Sequence, residues 1–232
     1  MKPWVKPLCT LTTGIATLAI LIGFSQLPEV KAAYPQGDFS TALSAFQRAT
    51  SVDQLYALFG NPPDAGKLAA MTAGNTLDLY GFIPVYTIFL IWGALMLAQG
   101  RGLMWFPIIA LLIGTAGDIY ETSTQIAIST DFTKAAALQA HVAMGCWIKF
   151  FGLAVHGLGC AALCFTGARK RWILGVLALT PIIGTTADYF HLVQIPTLMT
   201  LTFSVFWIAL IVVAAVDLFR TTRQPQAAGA PA

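Results

Sequence analysis

Six long runs of apolar residues constrain the fold of this chain more than any other feature of its sequence. One run covers residues 8–24, and the other five follow residue 76. A helix needs about 20 residues to cross the hydrocarbon core of a bilayer, and the runs are close to that length. Apolar residues make up 57% of the chain and charged residues 10%, outside the range of soluble globular domains. The sequence therefore predicts an all-α integral membrane protein, a polytopic bundle of about six transmembrane helices.

The five later runs are predicted to form a membrane bundle that occupies residues 76–220. Residues 221–232 are rich in proline, alanine and glycine, and are predicted to form a disordered cytoplasmic tail. The predicted spans of the bundle are approximately 78–99, 104–128, 140–165, 172–195 and 198–219.

Residues 1–33 are predicted to be either an N-terminal transmembrane helix or a signal peptide. Lys2 and Lys6 precede the apolar run, and Pro28 ends it. The residues before Ala33 include the small side chains that signal cleavage requires, but the run is long for the apolar region of a signal peptide. We favour an uncleaved first helix. Cleavage after residue 32 would leave the later spans unchanged and would place the N-terminus outside the cytoplasm.

Residues 34–75 form the main polar segment, which is predicted to be extracytoplasmic and amphipathic. Apolar residues recur at helical spacing between positions 39 and 46. Ser51 with Gln54 matches a capping box that opens a second short helix. Two short helices lying on the membrane surface, and an ordered connecting loop, are both compatible with this pattern.

The distribution of basic residues predicts the orientation of the spans. Eight lie on the side of both termini and four on the other side, so the positive-inside rule places both termini in the cytoplasm. The predicted location is the cell membrane, with the lipid bilayer as the surrounding partner. The net charge of the chain, +3, is small and the basic residues are scattered along the sequence, so nucleic-acid binding is not predicted. The eight are Lys2, Lys6, Arg101, Arg169, Lys170, Arg171, Arg220 and Arg223, and the four are Lys31, Arg48, Lys67 and Lys134.

One short pattern occurs twice, at residues 114–121 and again at residues 184–191. In both copies a glycine is followed four residues later by an aspartate and seven residues later by another ionisable residue. Positions i, i+4 and i+7 share one face of a helix, so each copy is predicted to line one stripe. The residues are Gly114, Asp118 and Glu121 in the first copy and Gly184, Asp188 and His191 in the second.

A second match supports an internal duplication. Residues 77–82 resemble a stretch 71 positions later, and Asp118 and Asp188 are separated by a similar offset of 70. We therefore predict that the helical hairpins 78–128 and 149–195 are tandem copies in the same orientation, related by an axis along the membrane normal. Asp118 and Asp188 are then predicted to face each other across that axis.

Charged residues inside the predicted spans form the candidate site. A charge at the centre of a span costs about 2.5–3.5 kcal/mol on insertion scales, so such residues usually face the bundle interior and have a partner. Asp78, Asp118, Lys149 and Asp188 occupy equivalent repeat positions, and the helix rise places this layer in the outer half of the membrane. Because the acids outnumber the lysine, some are predicted to be protonated or to hold a cation. Lys149 is predicted to form a structural pair with Asp78.

The roles of these residues are predicted from their chemistry. Carboxyl and imidazole groups can move protons at a reacting centre, and their polar and aromatic neighbours can orient a lipophilic small molecule. The predicted catalytic residues are Asp118, Glu121, Asp188 and His191. The predicted substrate-binding residues are Asp78, Tyr80, Tyr120, His141, Lys149 and Tyr189.

The spacing of the repeated pattern is also compatible with a metal site. The aspartate and the second ionisable residue of each copy have the i, i+3 spacing of ligand pairs in carboxylate-bridged helical bundles. Lys149 occupies a position that a second metal or its ligand would need. A divalent metal is therefore left open but not favoured, and no cofactor is predicted. His156 lies deeper and is interpreted as a hydrogen-bonded core histidine.

Three classes of function fit these features, and the sequence leaves enzymatic activity undecided. The favoured class is a membrane-embedded enzyme or binding protein for a lipophilic small molecule that enters from the outer leaflet. The alternatives are a proton- or cation-coupled transporter and a structural or assembly partner in the membrane. Transport sites usually lie near the midplane among inverted repeats, whereas the predicted layer is off-centre and the predicted repeats are parallel.

Overall fold

The computed structural model describes residues 2–100, 102–192 and 198–223. Within these residues the chain is all-helical, without a β-strand, and six helical stretches are long and apolar enough to cross a membrane. This confirms the predicted all-α class and the number of candidate spans. The α-helices of the described chain are α1 (Val5–Phe24), α2 (Pro28–Ala33), α3 (Phe39–Arg48), α4 (Val52–Phe59), α5 (Ala65–Leu77), α6 (Ile83–Ala98), α7 (Trp105–Thr130), α8 (Ala135–Thr166), α9 (Trp172–Tyr189) and α10 (Leu198–Arg223).

Two helix ends differ from the predicted spans. α10 continues to Arg223, where basic side chains in the last turn interact favourably with the helix dipole. Residues 221–223 are therefore helical and not part of a disordered tail. α9 ends at Tyr189 and does not continue as one helix towards residue 195. The remaining parts of these two predictions concern residues 193–197 and 224–232, which lie outside the described residues.

The second candidate span begins much earlier in the chain than predicted. α5 continues through a π-helical turn (Asp78–Phe82) into α6, so one helical stretch covers Ala65–Ala98. Asp64 caps its start by accepting a hydrogen bond from the backbone N–H of Lys67 at 2.8 Å. Asp78 therefore lies inside a long helix and is buried, instead of lying near the start of a span.

The short helices before α5 pack on one another and against longer helices. α3 and α4 form as predicted, with the Ser51 hydroxyl accepting a hydrogen bond from the backbone N–H of Gln54 at 3.3 Å. Their apolar faces share a core with residues of α5, α7 and α8, and this core is called the cap core. The segment is thus an ordered helical cap and not a connecting loop. The buried residues of the cap core are Val30, Tyr34, Phe39, Ala42, Phe46, Ala49, Leu55, Phe59, Ala70, Met71, Ile128, Ala135 and Val142.

The described chain divides into two compact units. The cap unit consists of Ala16–Thr87 and Leu112–Leu153 and contains the cap core. The terminal unit consists of the described residues up to Ile15, the segment Ile88–Leu111 and the described residues from Ala154 onward. Of the described charged residues that are buried, four belong to the cap unit and one belongs to the terminal unit. The cap unit is therefore where the candidate site must be sought first.

Polar contacts between helices also occur in the core of the terminal unit. The Thr180 hydroxyl of α9 donates to the backbone carbonyl of Thr202 on α10 at 3.1 Å. His156 of α8 is fully buried, and its Nδ1 atom lies 2.9 Å from the carbonyl oxygen of Pro107. This confirms the interpretation of His156 as a hydrogen-bonded core histidine.

Candidate functional site

The packing of α7 against α8 sets the position of the candidate site. A Cβ atom built on Gly117 would lie 2.6 Å from the backbone nitrogen of Lys149, and one built on Gly114 would lie 2.9 Å from that of Leu153. Small residues at such crossings allow two helix backbones to approach closely. The glycines of the first sequence pattern therefore serve helix packing, and the close approach places Lys149 beside the acidic residues of α7.

Lys149 forms ion pairs with two carboxylates of α7. Its Nζ atom lies 2.8 Å from Asp118 Oδ1 and 3.3 Å from Glu121 Oε2. Asp118 and Glu121 are three residues apart, so they share a helix face as predicted. No side chain of the three is more than 10% exposed. Little water is therefore present to screen these charges, in contrast to a surface ion pair.

The α5–α6 stretch contributes two further side chains. The Tyr86 hydroxyl donates to Asp118 Oδ2 at 2.7 Å. The Thr122 hydroxyl donates to Oδ2 of Asp78, which belongs to the π-helical turn, at 3.2 Å. The four buried charged residues of the cap unit are called the acid–lysine cluster. Its members are Asp78, Asp118, Glu121 and Lys149.

The π-helical turn explains how Asp78 and Tyr86 both contact α7. Eight residues of regular α-helix rotate by about 800°, which would leave the two side chains about 80° apart around the helix axis. A π-helical turn takes up one extra residue, and without that residue's rotation of about 100° the difference falls to about 20°. Both side chains can therefore point towards the same neighbouring helix.

The acid–lysine cluster contains more acid than base. Three carboxyl groups lie with one ammonium group, and all four residues are buried. Carboxylates held this close in a buried site cannot all ionise, and an unpaired buried charge is expensive. The cluster has two acids in excess of its base, so it must hold two protons, or further positive charge equal to two, for its charge to balance.

The predicted pairing of Lys149 with Asp78 is wrong. Among the described residues, the ion pairs of Lys149 are with Asp118 and Glu121. The close crossing of α7 and α8 sets Lys149 level with Asp118, whereas Asp78 bonds to Thr122 one turn further along α7. Lys149 is thus a partner of the two residues that were predicted to be catalytic in the first copy of the pattern.

Polar side chains continue beyond the cluster along the contact between α7 and the α5–α6 stretch. On α7 they recur at alternating intervals of three and four residues, which keeps them on one side of the helix. The distance from position 115 to position 129 is about 21 Å at 1.5 Å per residue. Four hydrogen-bonded pairs of described residues across this contact are called the polar ladder. The pairs are Thr72–Ser129 at 2.8 Å, Asp78–Thr122 at 3.2 Å, Tyr86–Asp118 at 2.7 Å and Thr87–Thr115 at 3.0 Å.

Two buried amide side chains lie between the first and second pairs of the polar ladder. Asn75 follows Thr72 by one turn on α5, and Gln125 precedes Ser129 by one turn on α7. Gln125 Nε2 donates to Glu121 Oε1 at 3.3 Å. Gln125 Oε1 and both polar atoms of the Asn75 side chain have no hydrogen-bond partner in the part of the chain described. Such atoms cost about 1–3 kcal/mol each, and proteins retain them mainly at functional or hydrated positions.

Several of the predicted substrate-binding residues lie apart from the cluster. Tyr80, in the same π-helical turn as Asp78, is 77% exposed. The Tyr120 hydroxyl and Nδ1 of His141 are 2.6 Å apart, and both residues are exposed. The structure therefore brings Asp78 and Lys149 into the buried cluster and leaves these three aromatic residues at the surface.

The second copy of the pattern lies at the end of α9, in the terminal unit. Asp188 is half-buried, and His191 is exposed. α9 ends at Tyr189, which is also exposed, and His191 follows in a left-handed conformation with φ +52°. The backbone N–H groups of His191 and Leu192 donate to the carbonyls of Asp188 and Ala187 at 3.1 and 2.9 Å, as in a Schellman helix end.

This helix end corrects part of the repeated pattern. His191 does not share a helix face with Asp188, because the helix ends before His191 is reached. The predicted arrangement of Asp118 facing Asp188 concerns residues of different units and stays a prediction. The tandem duplication of the hairpins also stays a prediction.

The described side chains that could bind a metal ion do not form a complete set of ligands. In the described residues no set of three or more His, Cys, Asp or Glu side chains is arranged to hold a metal ion. Within the cluster, the Lys149 ammonium contacts both Asp118 and Glu121, in the place that a bridging cation would occupy. The prediction that no cofactor binds stays a prediction.

The arrangement offers proton-binding chemistry in a buried place. Two carboxyl groups that share one ammonium can exchange their proton while the ammonium stays paired with the ionised one. Hydroxyl groups such as those of Tyr86 and Thr122 can both donate and accept, so they can pass a proton along a chain.

Comparisons of the chain with protein-family models, with curated proteins and with solved structures give no match.

Some members of the polar ladder are missing from the predicted site. A usable signal exists on α7, because the intervals of three and four residues around Asp118 select Thr115, Thr122, Gln125 and Ser129. Tyr86 carries no comparable signal, because a tyrosine in an apolar run is typical of any membrane span.

Proposed function

We propose that the chain is a multi-pass protein of the cell membrane, with both termini in the cytoplasm and the cap outside. The six candidate spans of the described residues and the asymmetry of the basic residues support this. A cysteine introduced at the exposed position Gln54 should react with a membrane-impermeant maleimide outside intact cells, and one at the exposed position Lys170 should not. The unaltered chain is the control for its native cysteines, and the reverse pattern would overturn the orientation.

We propose further that the protein couples proton movement to transport, with the acid–lysine cluster as its proton-binding site. The polar ladder is the observation that carries this proposal. Its hydroxyl, carboxyl and phenol groups extend for about 21 Å along the contact between α7 and the α5–α6 stretch and pass through the cluster. Ionisable groups inside membrane spans mark ion pathways and proton relays, among other functional sites.

The ladder supplies a route from the cap to the cluster. A proton enters where Thr72 and Ser129 meet, close to the residues of the cap core on the same helices. It passes the amides of Asn75 and Gln125, whose unpaired polar atoms can bind water. Gln125 then leads to Glu121, to which its amide already donates.

The cluster needs two protons for charge balance, of which Asp78 holds one, and it provides two positions for the other. When Glu121 takes the proton, Lys149 remains paired with the ionised Asp118, which the Tyr86 hydroxyl also stabilises. When Asp118 takes the proton, Lys149 pairs with Glu121. Neither state leaves the ammonium unpaired, so the cost of exchange between them is low compared with the cost of breaking the pair altogether. Thr87 and Thr115 continue the chain beyond Asp118.

A pH titration of the purified full chain by infrared spectroscopy tests proton binding. We expect the C=O band of a buried carboxylic acid that titrates and that is lost in Asp118→Asn or Glu121→Gln. Asp131→Asn is the matched control, because this aspartate lies in the connection after α7. Hydrogen bonds from Thr133 lower the pKa of Asp131, and its carboxyl group is exposed, so it does not give the band of a buried carboxylic acid.

Proton flux into proteoliposomes tests the ladder itself. With a potassium diffusion potential and a pH-sensitive dye inside, the wild-type chain should acidify the lumen faster than empty liposomes do. Thr122→Val removes a ladder hydroxyl with little change of shape and should reduce the flux about tenfold or more. Thr76→Val makes the same change at an exposed position of α5 and should leave the flux unaltered.

Failure of both experiments would favour a different class of function. If no buried carboxyl titrates while the protein is folded, and the wild-type chain passes no protons, the acid–lysine cluster is scaffold. The protein would then fit the class of structural or assembly partners.

A second candidate function, an enzyme or binding protein for a lipophilic small molecule, rests on the exposed pair Tyr120 and His141. Their hydrogen bond places a phenol and an imidazole together on an apolar exterior, where a lipophilic ligand has access. Photolabelling with a diazirine-bearing fatty acid should mark α7 and α8 in this case, and Tyr120→Phe together with His141→Phe should abolish the label. Labelling that survives both substitutions would remove this candidate.

A further inference from the structure

A basic pocket lies at one end of the terminal unit. Its volume is about 290 Å³, and it is formed where α1 begins, where α6 and α10 end, and by the connection from α8 to α9. Cationic side chains dominate its charged lining. The charged lining residues are Lys2, Lys6, Arg169, Arg171 and Asp217.

The acid of this pocket is already neutralised by arginines. Asp217 Oδ1 accepts a hydrogen bond from Arg169 Nη1 at 2.9 Å, and Asp217 Oδ2 accepts one from Arg171 Nη2. Four cationic side chains against one carboxylate leave a surplus of three positive charges around one small cavity. Such a concentration of one sign of charge attracts anions and raises their local concentration.

Arg171 indicates the kind of anion. Its side chain is 10% exposed, yet its Nη1 atom has no hydrogen-bond acceptor in the described part of the chain. A buried guanidinium N–H without an acceptor is costly. The planar fork of arginine fits phosphate oxygens in particular, and the neighbouring Lys2 and Lys6 can add ammonium donors.

We propose that this pocket binds the phosphate group of an anionic phospholipid. The inference rests on the proposed membrane location and orientation, but not on proton coupling. In that orientation the pocket lies at the cytoplasmic surface, where basic pockets between spans receive the headgroups of anionic lipids. Pro7 and Met96 line the same pocket and offer apolar contact to the glycerol part of a lipid.

Native mass spectrometry of the purified full chain in a neutral detergent measures the binding. Phosphatidylglycerol is the probe, and phosphatidylcholine, which carries a phosphate but no net charge, is the reference lipid. We expect phosphatidylglycerol to bind about tenfold more tightly or better, because the pocket has a surplus of positive charge. Equal binding of the two lipids would overturn the proposal.

Paired variants separate the pocket from the general charge of this end of the chain. Lys2→Gln with Lys6→Gln should weaken phosphatidylglycerol binding about 30-fold, since each cation near an anionic headgroup contributes about fivefold. Lys170→Gln with Arg220→Gln removes two positive charges outside the pocket lining and should weaken binding about threefold or less. Equal losses in the two double variants would show that only the general surface charge matters, and would overturn the site.

Two further measurements complete the test. Asp217→Asn removes the negative charge of the lining and should tighten phosphatidylglycerol binding, a direction that a purely topological role of the basic residues does not predict. Inorganic phosphate alone should raise the melting temperature less than phosphatidylglycerol does. If phosphate stabilises the chain and the lipid does not, the pocket serves a free phosphate compound and the lipid assignment is wrong. The infrared and proton-flux results do not depend on lipid binding, so failure of the lipid site can be distinguished from failure of proton coupling.

Discussion

The two copies of the repeated sequence pattern have different structures. In residues 114–121 the pattern lies well inside α7, and both of its acidic residues are buried and paired with Lys149. In residues 184–191 it lies at the end of α9, where the aspartate is half-buried and His191 is exposed beyond the last turn. A residue pattern defines a helix face only while the helix continues. It does not define the depth at which that face is buried.

The comparison also shows what a buried acid requires. Asp118 and Glu121 are completely enclosed because α8 approaches closely enough to bring a lysine within 3.3 Å of both. The glycines of the first copy are what permit that approach. The difference between the copies therefore arises from the neighbouring helix as much as from the pattern itself.

Lys149→Met should have the largest effect on the first copy. The substitution keeps an unbranched side chain, one atom shorter, but leaves Asp118 and Glu121 buried without their cation, at a cost of about 3–5 kcal/mol in the free energy of unfolding. Thermal unfolding in detergent measures the loss. Lys170→Met, at an exposed lysine, is the matched control and should cost less than about 0.5 kcal/mol.

A second substitution in the Lys149→Met background tests the pairing. Adding Asp118→Asn should restore more stability than adding Asp78→Asn, because Asp118 contacts Lys149 directly and Asp78 bonds to Thr122. Equal rescue by the two would contradict the geometry of the acid–lysine cluster.

The leading glycines of the two copies should respond differently to alanine. In Gly114→Ala the added Cβ would meet the backbone of α8 at Leu153, which cannot move by itself, so we expect a loss of about 1–3 kcal/mol. In Gly184→Ala the added Cβ would meet both branches of the Thr202 side chain, which is short and β-branched and donates to the Met199 carbonyl, so relief requires a small shift of α10 and we expect about 1–2 kcal/mol. Chemical unfolding of the two variants side by side measures the difference, and an equal cost would mean that both contacts are equally rigid.

The aspartates of the two copies should differ more in function than in stability. Asp118→Asn should cost no more than about 1.5 kcal/mol, because Glu121 still pairs with Lys149 and the amide oxygen still accepts from Tyr86. It should nevertheless remove the titrating infrared band, whereas Asp188→Asn should keep that band. Loss of the band in both variants would support the prediction that the two aspartates face each other.

The smallest effect should come from the helix end of the second copy. His191→Gly relieves a left-handed conformation that non-glycine residues adopt at a cost, and should stabilise the protein by about 1 kcal/mol. Ser123→Gly places a glycine at an exposed position inside α7 and should destabilise it by about 0.5 kcal/mol. Thermal unfolding measures both. A loss of stability in His191→Gly would show that the imidazole makes contacts worth more than the strain.

Much of the fold could be predicted from the apolar runs, because their length alone restricts them to spans. The early start of the second span could not, because α5 carries Lys67, Thr72 and Asn75 and is less apolar than α6. Thr72 pairs with Ser129 and Asn75 is buried, so these residues face other helices, and the mean hydropathy of the segment does not reveal their position. Asp64, directly after two prolines, is the residue that indicates the start of this helix. The average composition of the segment does not show it.

The candidate site was only partly predictable for a related reason. The shared face of Asp118 and Glu121 follows from helical periodicity, which is a property of one helix. The partner of Lys149 depends on the register between two helices, and the closeness of Asp78 and Tyr86 depends on a π-helical turn. Neither is encoded in the periodicity of a single segment.

In the proposed membrane location, the sharing of one lysine by two successive helices also affects how the chain enters the bilayer. During synthesis α7 leaves the ribosome before α8, so its two acids reach the translocon ahead of Lys149. Each ionised acid costs roughly 2.5–3.5 kcal/mol at the centre of a span, whereas the hairpin of α7 and α8 carries its own neutralising charge. A connection of four residues, Asp131 and the 3₁₀ turn Phe132–Lys134, joins the two helices. We therefore expect α7 to wait at the translocon until the lysine has been made, and the two helices to pass into the lipid as one unit.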